Sequence, residues 1–152
     1  MWSRVFGQRA EEVPPAELLE HLAAFGVAGH FRGDDLGWTT CSLVLPKMPE
    51  SPVTLERYLT DADELRADLN SWAAGLESAV EYAPKAAALM EPVITTKQLF
   101  TIRRPIDHGD EVTLDRLVTT VCQFLARRTG GFYQTDGQGF FDAGGEMLVQ
   151  EY

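Results

Sequence analysis

Long apolar runs are missing from this sequence, and with them the stretch of about 20 residues that a helix needs to cross a bilayer. Cysteine is scarce: Cys41 and Cys122 stand far apart, neither in a C-x-x-C pair, so no disulfide framework or zinc-type spacing is legible. Each lies among apolar neighbours and reads as a buried small hydrophobe, which fits a reducing cytosol. The first residues reach Arg4, Gln8, Arg9, Glu11 and Glu12 before any signal-type apolar segment can form, so a cytoplasmic protein is the expectation. Familiar catalytic signatures are missing as well. There is no G-x-S-x-G, no H-E-x-x-H and no G-x-x-x-x-G-K. Gly137-Gln138-Gly139 begins a dinucleotide-type glycine pattern, but Asp142 stands where the third glycine belongs. The segment also leads into a strand, not into the helix that a phosphate needs, and reads as a turn. No cofactor is expected from these residues.

Positive charge is the minority sign. Lys and Arg number 13 against 23 Asp and Glu, giving a formal net charge of −10. Residues 54–81 carry two cations against seven acids, whereas residues 97–128 carry six against four. A field of this sign disfavours nonspecific nucleic-acid binding, which requires clustered cations to displace counterions. It suits a surface kept soluble by carboxylates, or an acidic helix face that docks a basic partner.

What is present is a globular composition, 45% hydrophobic and 24% charged over 152 residues, enough for one domain with a sizeable core. The clearest element is a helix from Asp110 to Arg128. Leu114, Leu117, Val118, Val121, Cys122 and Leu125 repeat at helical spacing along one face. Asp110 or Thr113 supplies a cap, and Gly130-Gly131 supplies a stop. After it, Phe132-Tyr133-Gln134, Phe140-Phe141 and Met147-Leu148-Val149 alternate with the turns Asp136-Gly137 and Gly144-Gly145, the pattern of a β-meander.

Upstream, residues 1–12 show no period and read as a loose arm or a short strand. Pro14-Pro15 opens a helix with Leu18, Leu22 and Phe25 on one side. Residues 28–45 read as a hairpin around Gly33 to Gly37, with Thr39, Cys41, Leu43 and Leu45 facing the core and Trp38 on the opposite side. Pro46, Pro49 and Pro52 stiffen the following connection. A helix in two pieces is expected from Thr54, its stripe running through Leu65, Leu69, Trp72, Ala73, Leu76 and Val80. One or two helical turns follow at Lys85 to Met90, and then the strongest strand signal, Val93 to Arg104. The expected fold is therefore α+β, in the order α-ββ-α-β-α-β-meander, with two or three helices on one face of a mostly antiparallel sheet. A ferredoxin-like split arrangement is the alternative.

The one local cluster of ligand-type residues is Asp107-His108-Gly109-Asp110-Glu111, where a strand hands over to a helix. Arg103 and Arg104 just before it point to opposite sides if the strand runs on to Pro105, and one of them, with Lys97 or His108, offers a guanidinium to an anionic ligand at the sheet end. Arg103, Arg104, Asp107 and His108 are the candidate small-molecule site. No metal site is expected, because a single histidine with this spacing matches no established signature. Two functions follow from these features. The first is a non-catalytic protein-binding module of adaptor, immunity or antitoxin type; the alternative is an anion-binding protein or enzyme with a pocket around Arg103 to Glu111.

The cysteine reading makes a direct prediction. Thiol titration of the native protein should be slow at both Cys41 and Cys122 and reach completion only on unfolding; fast labelling of either without denaturant contradicts it.

Overall fold

The computed structural model describes residues 1–106 and 109–151. The strands are β1 (Trp2–Gly7), β2 (Ala28–Asp34), β3 (Gly37–Val44), β4 (Val53–Leu59), β5 (Gln98–Arg103), β6 (Phe132–Thr135), β7 (Gly139–Phe141) and β8 (Met147–Gln150). The helices are α1 (Pro15–His21), α2 (Arg66–Ala79), α3 (Ala86–Ile94) and α4 (Glu111–Arg128), with a 3-10 turn at Ala23–Phe25. The strands form one sheet in the order β2-β3-β4-β5-β1-β6-β7-β8. Every adjacent pair runs antiparallel, so the fold is α+β.

Of the two readings of the first residues, a loose arm or a short strand, residues 2–7 take the strand. They fill the gap between β5 and β6, with Val5 opposite both Phe100 and Tyr133. Their short alternation, Val5 one way and Phe6 the other, gives little signal alone. It becomes decisive once both backbone edges are paired and both faces are covered. Gly131 makes this possible: a Cβ there would lie 1.9 Å from the Phe6 carbonyl oxygen, so β1 and the start of β6 approach more closely than any side chain allows.

Helices pack on both faces of the sheet, not on one. Leu18 of α1 and the α4 stripe share a buried cluster with Val5, Leu43, Leu55, Phe100 and Tyr133. Leu69 and Leu76 of α2, with Leu89 and Val93 of α3, share another with Phe6, Leu99, Phe132 and Phe140. The central strands carry adjacent large apolar residues, one for each face, and so require two covers. Phe6 stacks on Phe132 with ring centroids 5.2 Å apart, and Trp72 of α2 meets Phe6 edge-on at 6.0 Å.

The segment from Thr54 is a strand, not the first piece of a helix. Val53, Leu55 and Arg57 are buried at period two, and β4 pairs on both sides, with β3 and with β5. Hydrogen bonding from two neighbours outweighs the capping signal at Thr54. The strand expected over Val93 to Arg104 is shorter, since α3 continues to Ile94 and β5 begins at Gln98. Trp38 also moves to the other side of its strand. The register slips between Arg32 opposite Thr40 and Gly33 opposite Trp38, leaving Thr39 as a bulge. The extra residue turns the indole into the core, where Nε1 donates to the Val13 carbonyl at 2.7 Å.

Both cysteines are buried, Cys41 on β3 and Cys122 on α4, and burial pushes each thiol up to about 12. Val121 on the α4 stripe is fully buried as well. A Val121→Asp change should cost about 4 kcal/mol or more, because it places an unpaired charge in the core. Thermal unfolding checks this: the midpoint should fall by about 10 °C or more, and a midpoint within a few degrees of the parent would remove α4 from the core.

Candidate functional site

Arg103 closes β5 and Arg104 follows it, and the extended backbone sends the two to opposite faces. Arg103 is exposed on the α2/α3 side, its guanidinium 5.9 Å from the Trp2 ring. Arg104 turns toward α4 and pairs with Asp115 at 2.5 Å and Glu111 at 3.2 Å. Its guanidinium is therefore engaged by two carboxylates of the first turns of α4. Asp110 caps that helix, Oδ1 accepting the Thr113 N–H at 3.1 Å and Oδ2 the Thr113 hydroxyl at 2.7 Å. Asp107 and His108 lie outside the described residues. Of the four candidate residues, the two that are described do not share a face.

Two clefts flank this strand end. One, of about 200 Å³, is lined by Phe25, Leu45, Pro46 and Met48, with Asp110 and Thr113 at its rim. It is mainly apolar. The other, of about 310 Å³, lies between α4 and the meander, where Arg104, Asp115, Gln123, Tyr133 and Gln138 line it. Burial holds the Tyr133 phenol above its ordinary range, although Gln123 donates to its oxygen at 3.4 Å. Among the described residues, no group of three or more His, Cys, Asp or Glu is arranged to hold a metal ion.

The opposite side of the sheet carries a feature that no local motif announces. No residue of β2 or β3 enters the core beneath α2 and α3, so the hairpin half of that face has no helical cover. Cross-strand registers lay its side chains out in rows. One row runs Arg32, Thr40, Glu56, Thr101, Arg4 and Gln134 from β2 to β6, and its neighbour runs His30, Ser42, Thr54, Arg103 and Trp2. His30, Arg32, Thr40 and Arg103 are exposed, and Trp2 retains 37% exposure. Glu56 is the one acid that β3 and β4 contribute.

Where this open face meets α2, a third cleft of about 470 Å³ forms, lined by Arg4, Tyr58, Asp63, Asp68, Trp72 and Thr101 among others. Arg4 lies with its guanidinium 4.8 Å from the Trp72 ring and donates to Gln134 at 2.9 Å and to Asp136 at 2.7 Å. Burial pushes the Asp136 carboxyl up, but hydrogen bonds from Arg4 and Gln134 outweigh it and hold the group below its ordinary range. The Tyr58 hydroxyl donates to Glu56; that bond, reinforced by burial, pushes the phenol up to about 12. Tyr58 is therefore a neutral donor at physiological pH. These groups come from β1, β4, the segment before α2, α2 itself and β5, so no short stretch of sequence contains them together. The period-two alternation of β4, with Val53, Leu55 and Arg57 buried, is the signal that would have placed Tyr58 on the face of the cleft.

Thr101 is an exception to the satisfied polar interior. Among the described residues, its Oγ1 is the buried side-chain oxygen or nitrogen that finds no hydrogen-bond partner. Leaving a buried hydroxyl unmet costs about 1–3 kcal/mol. A Thr101→Val protein keeps the shape and removes the penalty, so its thermal midpoint should equal or exceed the parent by about 2–4 °C. A clear loss of stability would show that the hydroxyl is satisfied in solution. In comparisons with known proteins, the chain matches no family model, no curated protein and no solved structure.

Proposed function

We propose that this protein is a non-catalytic protein-binding module, of adaptor, immunity or antitoxin type, that docks its partner on the uncovered half of the sheet. The observation that carries the reading is the hairpin face itself. Strands β2 and β3 present exposed His30, Arg32 and Thr40, and β4 the half-buried Thr54 and Glu56, on the side where α2 and α3 stop short. An isolated hydrophobic patch would point to aggregation or self-association. Here the residues are of the kind found on wet, polar interfaces, with Arg32, Arg103 and Trp2 as anchors of the types enriched at binding hot spots. The guanidinium groups of Arg32 and Arg103 favour an acidic partner surface, even though the chain as a whole is acidic.

The anion-binding reading around Arg103 to Glu111 has the Arg104 cleft in its favour. An anion there would have to displace Glu111 and Asp115 from the guanidinium, at a cost in both ion pairs. The docking reading needs no such exchange.

A photo-reactive residue placed at Thr40, on the open face, should give a discrete crosslinked species in cells, whereas one at Glu77 on α2 should not. The double change Arg32→Glu with Arg103→Glu should abolish the Thr40 crosslink and leave the thermal midpoint within a few degrees of the parent. Equal crosslinking at both positions, or a Thr40 product that survives the charge reversal, removes the proposed face.

A further inference from the structure

The two ends of the sheet are finished differently. At one end β8 is four residues long, and Leu148 bulges out between the pairs with Phe140 and Phe141. A short, bulged edge offers little to a further strand. At the other end β2 runs for seven residues without proline or lysine. Ala28 to Arg32 pair in unbroken register with Val44 to Thr40, and the bulge at Thr39 lies beyond them, toward the hairpin turn. Among the described residues, the main chain of β2 bonds to β3 and to no other element. Its alternate N–H and C=O groups therefore face outward in a row, the arrangement that accepts an added strand.

The side chains flanking this edge define what such a strand carries. On the side of α1, Leu19 and Phe31 are half-buried, and both close over Gly29. A Cβ at Gly29 would lie 2.7 Å from Leu19 Cδ2 and 2.9 Å from the Phe31 ring. Both side chains pack on the core beneath, so apolar groups of an added strand would complete their cover. On the open face, His30 and Arg32 end the two rows that cross the sheet, and both are exposed. Among the described residues, no carboxylate pairs with Arg32. Asp34, the acid of β2, accepts the Leu36 N–H at 2.8 Å and lies toward Arg57. A carboxylate set directly across from Arg32 makes a favourable cross-strand pair.

We propose that β2 takes up an extended segment of the partner as a ninth strand, with carboxylates on the open face beside Arg32 and apolar side chains over Leu19 and Phe31. This inference rests on the docking reading and names the form of its partner. Main-chain hydrogen bonds supply affinity in this mode, and alternate side chains supply specificity. A second copy of the chain is the poorer occupant, because β2 paired with itself brings no free carboxylate to Arg32.

The test uses the full chain, labelled with nitrogen-15, and hydrogen exchange of its backbone amides. The probes are a nine-residue peptide alternating glutamate and valine, and the same peptide with lysine for glutamate. Two further forms of the glutamate peptide are N-methylated, one at every glutamate nitrogen and the other at every valine nitrogen. At saturation the glutamate peptide should slow exchange of alternate β2 amides by about tenfold or more and leave β8 unchanged. The lysine peptide should bind more weakly, by about threefold or more, and Arg32→Glu should reverse that order. A strand turns its N–H groups to alternate sides. One methylated form should therefore bind like its parent and the other more weakly, by about tenfold or more. No protection of β2 from any peptide, equal binding of the two methylated forms, or equal binding of the glutamate and lysine peptides overturns the inference. Protection of the same β2 amides by self-association of the protein alone also overturns it. Its failure is separable from that of the docking reading: a Thr40 crosslink lost on charge reversal, with no protection of β2, keeps the partner on the face and removes the added strand.

Discussion

The structure depends on β1 being inserted between β5 and β6. Without it the sheet would divide into a β2–β5 half and a β6–β8 half, each with an unpaired edge inside what is now the core. The insertion satisfies both backbone edges of β1 and gives Val5 and Phe6 a layer each. The chain then continues to be held as it leaves the strand. The Lys97 N–H donates to the Gly7 carbonyl, and the N–H groups of Gln8 and Arg9 donate to the Thr129 carbonyl at the end of α4. Residues from the start, middle and end of the chain therefore meet at one place. Contacts of such sequence separation carry a loop-closure cost, and the two cores on either side of the strand offset it.

A buried polar clamp extends this arrangement. Arg57 on β4 donates to Gln98 Oε1 at 2.8 Å and to the Leu36 carbonyl at 2.9 Å. Gln98 Nε2 in turn donates to the carbonyls of Arg9 and Glu11, both at 2.7 Å. Burial lowers the Arg57 pKa from its ordinary value, opposed by the nearby carboxylates of Glu12, Asp34 and Asp63. The network ties residues 9–11 to the sheet without a regular element, and on the way to α1 the chain passes Val13, which receives the Trp38 indole. Buried polar groups that are satisfied in this way rigidify a fold, because loss of one partner leaves another unmet.

The same asymmetry of cover explains where surface chemistry gathers. Helices α2 and α3 protect the central strands and the meander but leave the hairpin half open. The cleft forms at the boundary, between the N-terminal part of α2 and the strands β1, β4 and β5. Cations sit on the open strands and carboxylates around the helix start, so the face is divided by charge. This division is invisible in the net charge of −10, which averages over both regions.

Some of this was determined by the sequence alone. The α4 stripe, its Asp110 cap, the hairpin and the meander each contain their own periodic or turn signal within a short window, and each forms where that signal lies. The α+β class follows from them. Other features were decided only in three dimensions. Residues 2–7 and 53–59 become strands because neighbours on both sides supply hydrogen bonds that a local pattern cannot promise. The bulge at Thr39 reverses Trp38 because one extra residue inverts a period of two. That Arg103 and Arg104 face opposite sides, by contrast, was legible in strand alternation running up to Pro105. Arg4, Tyr58, Trp72 and Thr101 are distant in sequence yet share one cleft, because sheet register depends on pairing between strands and not on order along the chain.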